Sequence, residues 1–344
     1  MNQQFEEFID LSMAVQDSQN AAHGKMAAPK KFVLEPVKGM KADLNKKWLI
    51  KQLLPAAGVA VLYGPSGAGK SFLAIHLGLS IANALPFAGC RTEQAGVVFV
   101  AAEAGAASRL RIKTAANRLG VPEDPPFALI TEPPDLGNGP GDTAALVAAI
   151  QTQKEALGLN VGVIILDTVA KVTPGMEENS ARDMGTFLSN AEHIARTFNG
   201  LVIAIHHPGK NETAGMRGSS ALSAGVDATI YLGNEGGLRT GTVEKQKDGE
   251  ADLSFTFRLE KVEVGLDEDG DPVSTCVVED LTSLTPLTSG STKSKKMKQP
   301  PQGLRLLLDV LATTVLDSGI EINPYPDGPK VMGVSKDVFR SAYY

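Results

Sequence analysis

Short apolar runs separated by longer amphipathic segments organise the chain from residue 59 onward. The runs are VAVLY at 59–63, VVFVA at 97–101, VGVIIL at 161–166 and LVIAI at 201–205. Strands that are apolar throughout and alternate with helices are typical of a parallel sheet covered on both faces. The pattern therefore predicts an α/β fold with a mostly parallel central sheet. Later segments, which we expect to form partly antiparallel strands, lie at 226–232, 240–246, 252–259 and 273–279.

Composition divides the chain around this core. Residues 1–29 predict a helical arm and a polar linker, which is either a loose terminal helix or an arm that docks onto a neighbouring subunit. The core spans 30–280, and a linker rich in Ser, Thr, Lys and Pro follows at 281–301. Residues 302–344 predict a small, helical, winged-helix-like piece. We expect it to be truncated, because a full winged helix needs more residues.

Overall composition excludes two classes of protein. With 43% hydrophobic residues, the chain of 344 residues can build a packed core, so global disorder is excluded. A formal net charge of −6 argues against coating of nucleic acid through global basicity. The acidity is local, because residues 244–280 carry twelve acids against four bases, whereas residues 30–51 carry a net charge of +5. Basic loops that bind DNA are therefore compatible with the total.

Cysteine use and hydropathy predict the compartment. Cys90 and Cys276 lie far apart and form neither a metal-type spacing nor a disulfide framework. The amino-terminal residues lack the pattern of a secretory signal, and no run approaches the roughly 18 apolar residues of a membrane span. We expect a soluble, cytoplasmic protein with no membrane partner.

A glycine-rich loop joins the first apolar strand to a helix-forming run and fits the pattern G-x-x-x-x-G-K-[ST] at every fixed position. Its residues are Gly64, Pro65, Ser66, Gly67, Ala68, Gly69, Lys70 and Ser71. The glycines allow backbone N–H groups to surround a phosphate, and the helix amino terminus adds partial positive charge. In such loops the lysine reaches the β- and γ-phosphates and the hydroxyl ligates Mg²⁺. The loop predicts binding of ATP with Mg²⁺.

Two acidic residues follow apolar strands and are expected at the same edge of the sheet as the loop. Asp167 ends the run 161–166, where it can hold the Mg²⁺ shell; the alternative is that it caps the next segment. Glu103 follows the run 97–101, where it can polarise an attacking water as a general base. The alternative for Glu103 is to offset the dipole of the next helix. We assign the metal role to Asp167 and the catalytic role to Glu103.

A pair of histidines, His206 and His207, ends the run at 201–205. Imidazole titrates near neutral pH, so it can respond to a γ-phosphate or relay its loss. The alternative is that one ring only hydrogen-bonds the backbone at the strand end. We expect one of the two rings to be functional.

Four sequence elements occur in one order: GPSGAGKS, a strand ending in AAE, a strand ending in LDT, and a strand ending in HHPGK that precedes RGSSAL. This set, within residues 45–260, resembles the RecA-like AAA-type ATPase of the RepA-type hexameric replicative helicases of plasmids, phages and prophages. The resemblance implies a RecA-like P-loop NTPase core, a ring of subunits with nucleotide at each interface, and translocation on single-stranded DNA. It also implies that Glu103 is catalytic, that Asp167 is the strand-end aspartate, and that His207 is the functional histidine.

One position departs from that family. Its arginine finger lies ten residues after the arginine of RGSS, and here that position is Asp227, which cannot stabilise transition-state charge. The segment GTVEKQKDGE instead resembles the K-x-[KR] strand with which DnaB-like motors reach a neighbouring subunit's γ-phosphate. Lys245 and Lys247 are therefore candidates for this contact in trans. The alternative is that both are solvated lysines on an edge strand.

Two loops carry candidate DNA contacts. Residues 169–180 contain Lys171, and residues 208–218 contain Lys210 and Arg217. The resemblance implies that such loops line the central channel of a ring, where cations bind backbone phosphates. Neither loop has an aromatic residue for base stacking, so this contact would not depend on base sequence. Each cation is otherwise a solvated loop residue, and Arg217 could also anchor its own loop.

Together these features predict a Mg-ATP-dependent, RecA-like motor on single-stranded DNA. We expect a DNA-dependent ATPase that forms a homohexamer and serves as a replicative helicase beside other replication or recombination proteins. One alternative is an ATP switch, such as a recombination mediator or helicase loader that does not unwind DNA. A second is a P-loop kinase for a small metabolite. A kinase would carry several arginines on a lid, whereas the arginines at 109–118 lie on one helix.

Overall fold

The computed structural model describes most of the chain. The described residues are 36–40, 47–155, 158, 160–207, 220–247, 249–287, 310–311, 313–315, 317–323 and 331–343. The chain forms two compact units, residues 1–46 and 47–344. Within the first unit, the described residues contain a 3-10 turn at Val37–Gly39. The sheet and the candidate site lie in the second unit.

The second unit is built on a large central sheet. A short antiparallel pair, β1 (Trp48–Ile50) and β2 (Leu54–Pro55), precedes it. The central sheet has ten strands in the described residues: β3 (Gly58–Tyr63), β4 (Gly96–Ala101), β5 (Phe127–Ile130), β6 (Val161–Asp167), β7 (Leu201–His206), β8 (Ala228–Glu235), β9 (Leu238–Gln246), β10 (Leu253–Leu266), β11 (Pro272–Glu279) and β12 (Thr285–Pro286).

The central sheet has a parallel part and an antiparallel part. The parallel strands are ordered β8-β3-β7-β6-β4-β5. Beyond β8, the strands β9, β10 and β11 pair antiparallel, and β12 pairs with β10. Parallel neighbours require crossover connections, which helices provide. The hairpins β8–β9 and β10–β11 need only short turns.

Helices cover both faces of the sheet. One face packs against α1 (Lys70–Ala82) and α2 (Ala107–Leu119). The other packs against α3 (Gly141–Lys154), α4 (Val169–Val172), α5 (Ala181–Phe198) and α6 (Ser220–Gly225). The strands are apolar throughout because each face is buried under a helical layer. On β3, for example, Val59 and Val61 face the α5 layer, whereas Ala60 and Leu62 face the α1 layer.

The carboxyl ends of the parallel strands meet at one edge of the sheet. Tyr63 at the end of β3 pairs in register with His206, and Ala101 at the end of β4 pairs with Asp167. Loops that leave these ends are therefore neighbours in space, although they are far apart in sequence. Ligands of open α/β sheets bind at this edge.

Asp227 connects three strands at the opposite edge of the sheet, where the parallel strands begin. Its carboxylate Oδ2 accepts a hydrogen bond from the backbone N–H of Val59 at 2.9 Å, and its own N–H donates to the Val59 carbonyl at 2.8 Å. The backbone N–H of Lys247 donates to the Asp227 carbonyl at 2.9 Å. Asp227 thus joins the start of β3, the start of β8 and the end of β9. This position explains why an aspartate, not an arginine, occupies residue 227.

The predicted fold class, a mostly parallel RecA-like P-loop core with partly antiparallel late strands, is confirmed. The sequence pattern missed β5, whose four residues are only half-buried because it is an edge strand. Residues 281–287, assigned to a linker, include β12, which lies along β10. The domain boundaries stay a prediction.

The described carboxyl-terminal residues form a small hairpin and a helix. The hairpin pairs β13 (Ile320–Ile322) with β14 (Val331–Gly333), and α7 spans Lys336–Tyr343. The predicted helix at 302–316 lies mostly outside the described residues. Among the helices that the structure describes, none is long and apolar enough to cross a membrane.

Candidate active site

The glycine-rich loop leaves β3 and enters α1 at the carboxyl edge of the sheet. Two of its glycines are required by close contacts. A Cβ atom on Gly64, where φ is +157°, would lie 2.2 Å from the carbonyl oxygen of Leu232 on β8. A Cβ atom on Gly69, where φ is +88°, would lie 3.1 Å from both Arg239 Nε and Leu259 Cδ1. The loop is therefore held between α1 and the strands β8, β9 and β10.

Lys70 points its ammonium group back into this loop. Its Nζ donates hydrogen bonds to the carbonyl oxygens of Gly64, at 2.7 Å, and Pro65, at 2.9 Å. Its third neighbour is Nδ1 of His207, at 3.2 Å. Burial lowers the pKa of Lys70 to about 8, although the nearby carboxylates of Asp167 and Glu103 act in the opposite direction. The lysine is thus poised beside the loop and close to the end of β7.

Asp167 lies at the buried end of β6, next to Ser71. Burial raises the pKa of Asp167 to about 6, while a hydrogen bond from the Ser71 side chain acts to lower it. The carboxylate oxygen Oδ1 is buried and has no hydrogen-bond partner among the described residues. A hydroxyl beside a carboxylate with a spare lone pair is an oxygen donor set that suits Mg²⁺, which keeps several waters and binds few protein ligands. These two residues therefore fit the predicted metal position.

Glu103 and His207 lie beside the loop, after the ends of β4 and β7, the two strands that flank β6. The carboxylate Oε2 of Glu103 lies 3.7 Å from Nε2 of His207. The backbone N–H of Glu103 donates to the carbonyl oxygen of Asp167 at 3.0 Å, which fixes the segment after β4 against β6. Because the other ring nitrogen of His207 faces Lys70, the imidazole links the ammonium group to the carboxylate. The side chain of Glu103 is 47% exposed, so water reaches it.

The two adjacent histidines have different surroundings. His206 is fully buried, and neither of its ring nitrogens has a hydrogen-bond partner among the described residues. Burial lowers the pKa of His206 to about 4, so its ring is neutral at physiological pH. Alternation along β7 places it on the α5 side of the sheet, with Val202 and Ala204. Only His207 contacts Lys70 and Glu103.

Three residues near the site carried no role in the sequence analysis. The guanidinium of Arg111 on α2 lies 4.9 Å from the ring of Phe72, beside the loop, and acts to lower the pKa of Asp167. Burial raises the pKa of Glu178, which His207 opposes. Arg239 covers Gly69. Their sequence surroundings gave no signal, because each approaches the site only through tertiary packing.

Lys245 and Lys247 lie away from this site in the same chain. Lys245 pairs in register with Thr229 near the start of β8, and its Nζ donates to the carbonyl oxygens of Ser223 and Ala224 at 2.8 and 2.9 Å. The Nζ of Lys247 lies 3.2 Å from Oδ1 of Asp227. Both lysines therefore occupy the edge opposite the glycine-rich loop.

The candidate DNA contacts fall partly within the described residues. Lys171 is exposed on α4, the single helical turn that follows Asp167. Lys210 and Arg217 lie outside the described residues. Their contribution to DNA binding stays a prediction.

The fold and the site together define a P-loop ATPase with a RecA-like core. The family described as "AAA domain" matches residues 33–213, more than half of the chain, and the protein belongs to this family. No protein with a curated description matches the sequence significantly.

Two solved structures align with this chain at low sequence identity. The crystal structure of the RadB recombinase aligns with a TM-score of 0.44 and 20% identity, over 60% of this chain and 90% of that one. The solved ATPase domain of another protein aligns with a TM-score of 0.43 and 13% identity, over 63% of this chain and 84% of that one.

Proposed function

We propose that this protein is a Mg-ATP-dependent motor on single-stranded DNA, and specifically a hexameric replicative helicase of the RepA type. The observation that carries the proposal is the contact chain from Lys70 through His207 to Glu103. It joins the group that binds phosphate to the group that orients water, through a histidine at a strand end. The following steps use residues of this chain.

The first step is phosphate binding and charge neutralisation. The loop amides and Lys70 hold the phosphates. To do so, Lys70 gives up its hydrogen bonds to the Gly64 and Pro65 carbonyls and donates to phosphate oxygens instead. Ser71 and Asp167 would hold Mg²⁺, which would neutralise charge on the phosphate oxygens. Arg111 adds positive charge near Asp167 but does not take the place of Ser71 or Asp167 as a metal ligand.

The second step is hydrolysis. Glu103 is exposed enough to hold a water molecule and lies within reach of the phosphate site through His207. A carboxylate in this position takes up the proton of the attacking water, or orients the water for attack. The N–H of Glu103 bound to the Asp167 carbonyl keeps the general base and the metal ligand in register.

The third step couples phosphate loss to movement. His207 contacts the ammonium group of Lys70 and ends the described segment that precedes residues 208–219, where Lys210 and Arg217 are found in the sequence. Loss of the γ-phosphate changes the charge that Lys70 and His207 experience. A histidine in this place therefore passes the change to the segment proposed to hold DNA.

The positions of Lys245 and Lys247 support assembly into a ring. The amino end of β8, where Asp227 holds Lys247, lies five residues from Leu232, the residue of β8 that touches the glycine-rich loop. That separation is about 17 Å along a strand. Neither lysine serves the nucleotide of its own chain from there. A neighbouring subunit that docks its loop against this edge would receive the cation in trans.

Hydrolysis in the presence of DNA tests the proposal. We expect single-stranded DNA to stimulate ATP hydrolysis by the full chain, and ATP to drive strand displacement on a forked duplex. Lack of stimulation by DNA would contradict the motor function. Stimulation without displacement would favour the ATP-switch alternative, the recombination mediator or helicase loader.

One observation favours that alternative. Both candidate lysines are engaged within their own chain, Lys245 by backbone carbonyls and Lys247 by Asp227. Lysine is also a poorer bidentate donor than arginine. Slow hydrolysis, suited to a switch, is the consequence if these contacts persist in the assembly.

Substitution of Lys247 by alanine separates these possibilities. For a contact in trans we expect Lys247→Ala to reduce DNA-stimulated hydrolysis by roughly 100-fold, because one group that stabilises transition-state charge is lost. Nucleotide binding and thermal stability should change little, because the Lys247 side chain is 68% exposed and the Asp227 carboxylate keeps its hydrogen bond from the Val59 N–H.

The matched control is Lys261→Ala, which removes an exposed lysine from β10. If Lys247→Ala kept full DNA-stimulated hydrolysis, Lys247 would not be the residue that makes the contact in trans. Equal losses in both lysine variants would show a general effect of charge on DNA binding, and would also count against it.

A further inference from the structure

Arg239 lies directly over the start of helix α1. It is the second residue of β9, after the tight turn Gly236–Gly237, and it pairs in register with Asn234. A Cβ atom on Gly69 would lie 3.1 Å from Arg239 Nε and 3.2 Å from Arg239 Cδ. The arginine therefore packs its stem against the residue that precedes Lys70.

The guanidinium of Arg239 has one nitrogen that is hydrogen-bonded and one buried nitrogen that is not. Its Nη1 donates to the carbonyl oxygen of Gly237 at 2.9 Å, which ties the side chain to its own turn. Its Nε is buried and has no hydrogen-bond partner in the described part of the chain. Within the same residues, no carboxylate lies within ion-pair distance of Arg239. The positive charge thus lacks a protein counter-ion.

Arg239 is only half-buried, so water solvates part of its charge, but its position at the start of α1 favours an anion. A helix amino terminus carries partial positive charge and stabilises anions, whereas a cation placed there is repelled. At the start of α1 the ammonium group of Lys70 adds a second positive charge. The acids of the site, Asp167 and Glu103, interact with Lys70, Ser71 and His207 and not with Arg239. An apolar side chain would cover Gly69 equally well without this repulsion, so packing alone does not explain an arginine.

We propose that Arg239 is a second cationic ligand of the nucleotide's phosphate chain, supplied in cis by the β8–β9 hairpin. The inference rests on the proposed nucleotide site and adds a residue to it. A guanidinium offers a planar set of donors that fits phosphate oxygens, and one of its groups is already fixed by Gly237. Arg239 differs from Lys245 and Lys247, which lie on the same strand and hairpin but at the far edge of the sheet.

Binding of ATP, ADP and inorganic tripolyphosphate to the full chain tests the assignment. The variant Arg239→Met keeps an unbranched stem over Gly69 and removes the charge. We expect all three ligands to bind roughly 10- to 100-fold more weakly to Arg239→Met, by isothermal titration calorimetry, because a charge-assisted hydrogen bond to phosphate is lost. Arg239→Lys should restore part of the affinity for each ligand.

The matched control is Arg258→Met, which removes an exposed arginine from β10 and should bind all three ligands like the unmodified protein. Equal affinities for Arg239→Met and the unmodified protein would overturn the assignment. So would weaker binding of ATP with unchanged binding of tripolyphosphate, because the contact would then be to the nucleoside. If Arg239→Met does not fold, Arg239→Gln is measured in its place, with the same outcomes.

Failure of the underlying site gives a different result. If the unmodified protein binds none of the three ligands, the proposed nucleotide site itself is wrong and Arg239 has no phosphate to hold. If the unmodified protein binds the ligands and the Arg239 variants bind them equally well, the nucleotide site stands and the inference about Arg239 falls.

Discussion

Replacing Glu103 with glutamine is expected to reduce ATP hydrolysis by roughly 100- to 10,000-fold, the contribution of a well-placed general base. Glutamine keeps the size of the side chain and its reach of 3.7 Å towards His207 but cannot accept a proton. Binding of ATP should be retained, because phosphate contacts come from the loop and Lys70. The measurement is steady-state hydrolysis, with a fluorescent ATP analogue for binding.

The control for this change is Glu123→Gln, which alters an exposed carboxylate between α2 and β5. It should leave hydrolysis unchanged. If Glu103→Gln retained more than about a tenth of the activity, Glu103 would have the other role considered for it, compensation of the dipole at the start of α2.

Replacing Lys70 with alanine is expected to weaken nucleotide binding and to lower the rate of hydrolysis by roughly 100- to 1,000-fold, because a donor aimed at developing charge is removed. The exposed lysine of α2, Lys113, provides the matched alanine control. Normal hydrolysis by Lys70→Ala would contradict the phosphate site itself. Thermal unfolding separates loss of activity from loss of fold.

The pH dependence of nucleotide affinity gives an independent test of Lys70. Burial lowers the pKa of Lys70 to about 8, and a bound polyphosphate favours the charged form, so the pKa in the complex is higher. Between these two values, binding takes up a proton. The contribution of Lys70 to affinity should therefore be constant below pH 8 and decrease above it, by at most about tenfold per pH unit.

The same experiment on Lys70→Met should show no decrease above pH 8, because the titrating group is gone. A decrease that persists in Lys70→Met would assign the titration to another group. Titration calorimetry from about pH 6.5 to about pH 10 covers the range, and buffers of different ionisation enthalpy report the proton uptake directly.

The fold was predictable wherever burial made the sequence uniformly apolar. The strands that became β3, β4, β6 and β7 lie in the middle of the sheet, and the structure confirms them within a residue or so at each end. By contrast, β5 lies at the sheet edge, where half-buried residues give a weak pattern. Short strands such as β12 depend on pairing with a distant strand, which local composition does not encode.

The candidate site was predictable as far as it depends on strand ends. Because parallel strands share one edge, the ends of β3, β4, β6 and β7 bring the loop, Glu103, Asp167 and His207 together. The residue pattern alone left open which histidine faces the loop, because this depends on the alternation along β7, and only the family resemblance pointed to His207. Arg239 could not be found from sequence, since its contact with Gly69 joins residues far apart in the chain and is created by sheet order. The roles of all these residues stay predictions.

The opposite surroundings of His206 and His207 have a mechanical consequence. The two rings are joined by a single peptide unit at the end of β7, one beside the ammonium group of Lys70 and the other sealed on the α5 side of the sheet. A rotation of this unit that draws His207 away from the loop must also displace His206 against tightly packed neighbours. We therefore expect the packing around His206 to oppose any movement of His207 away from the loop.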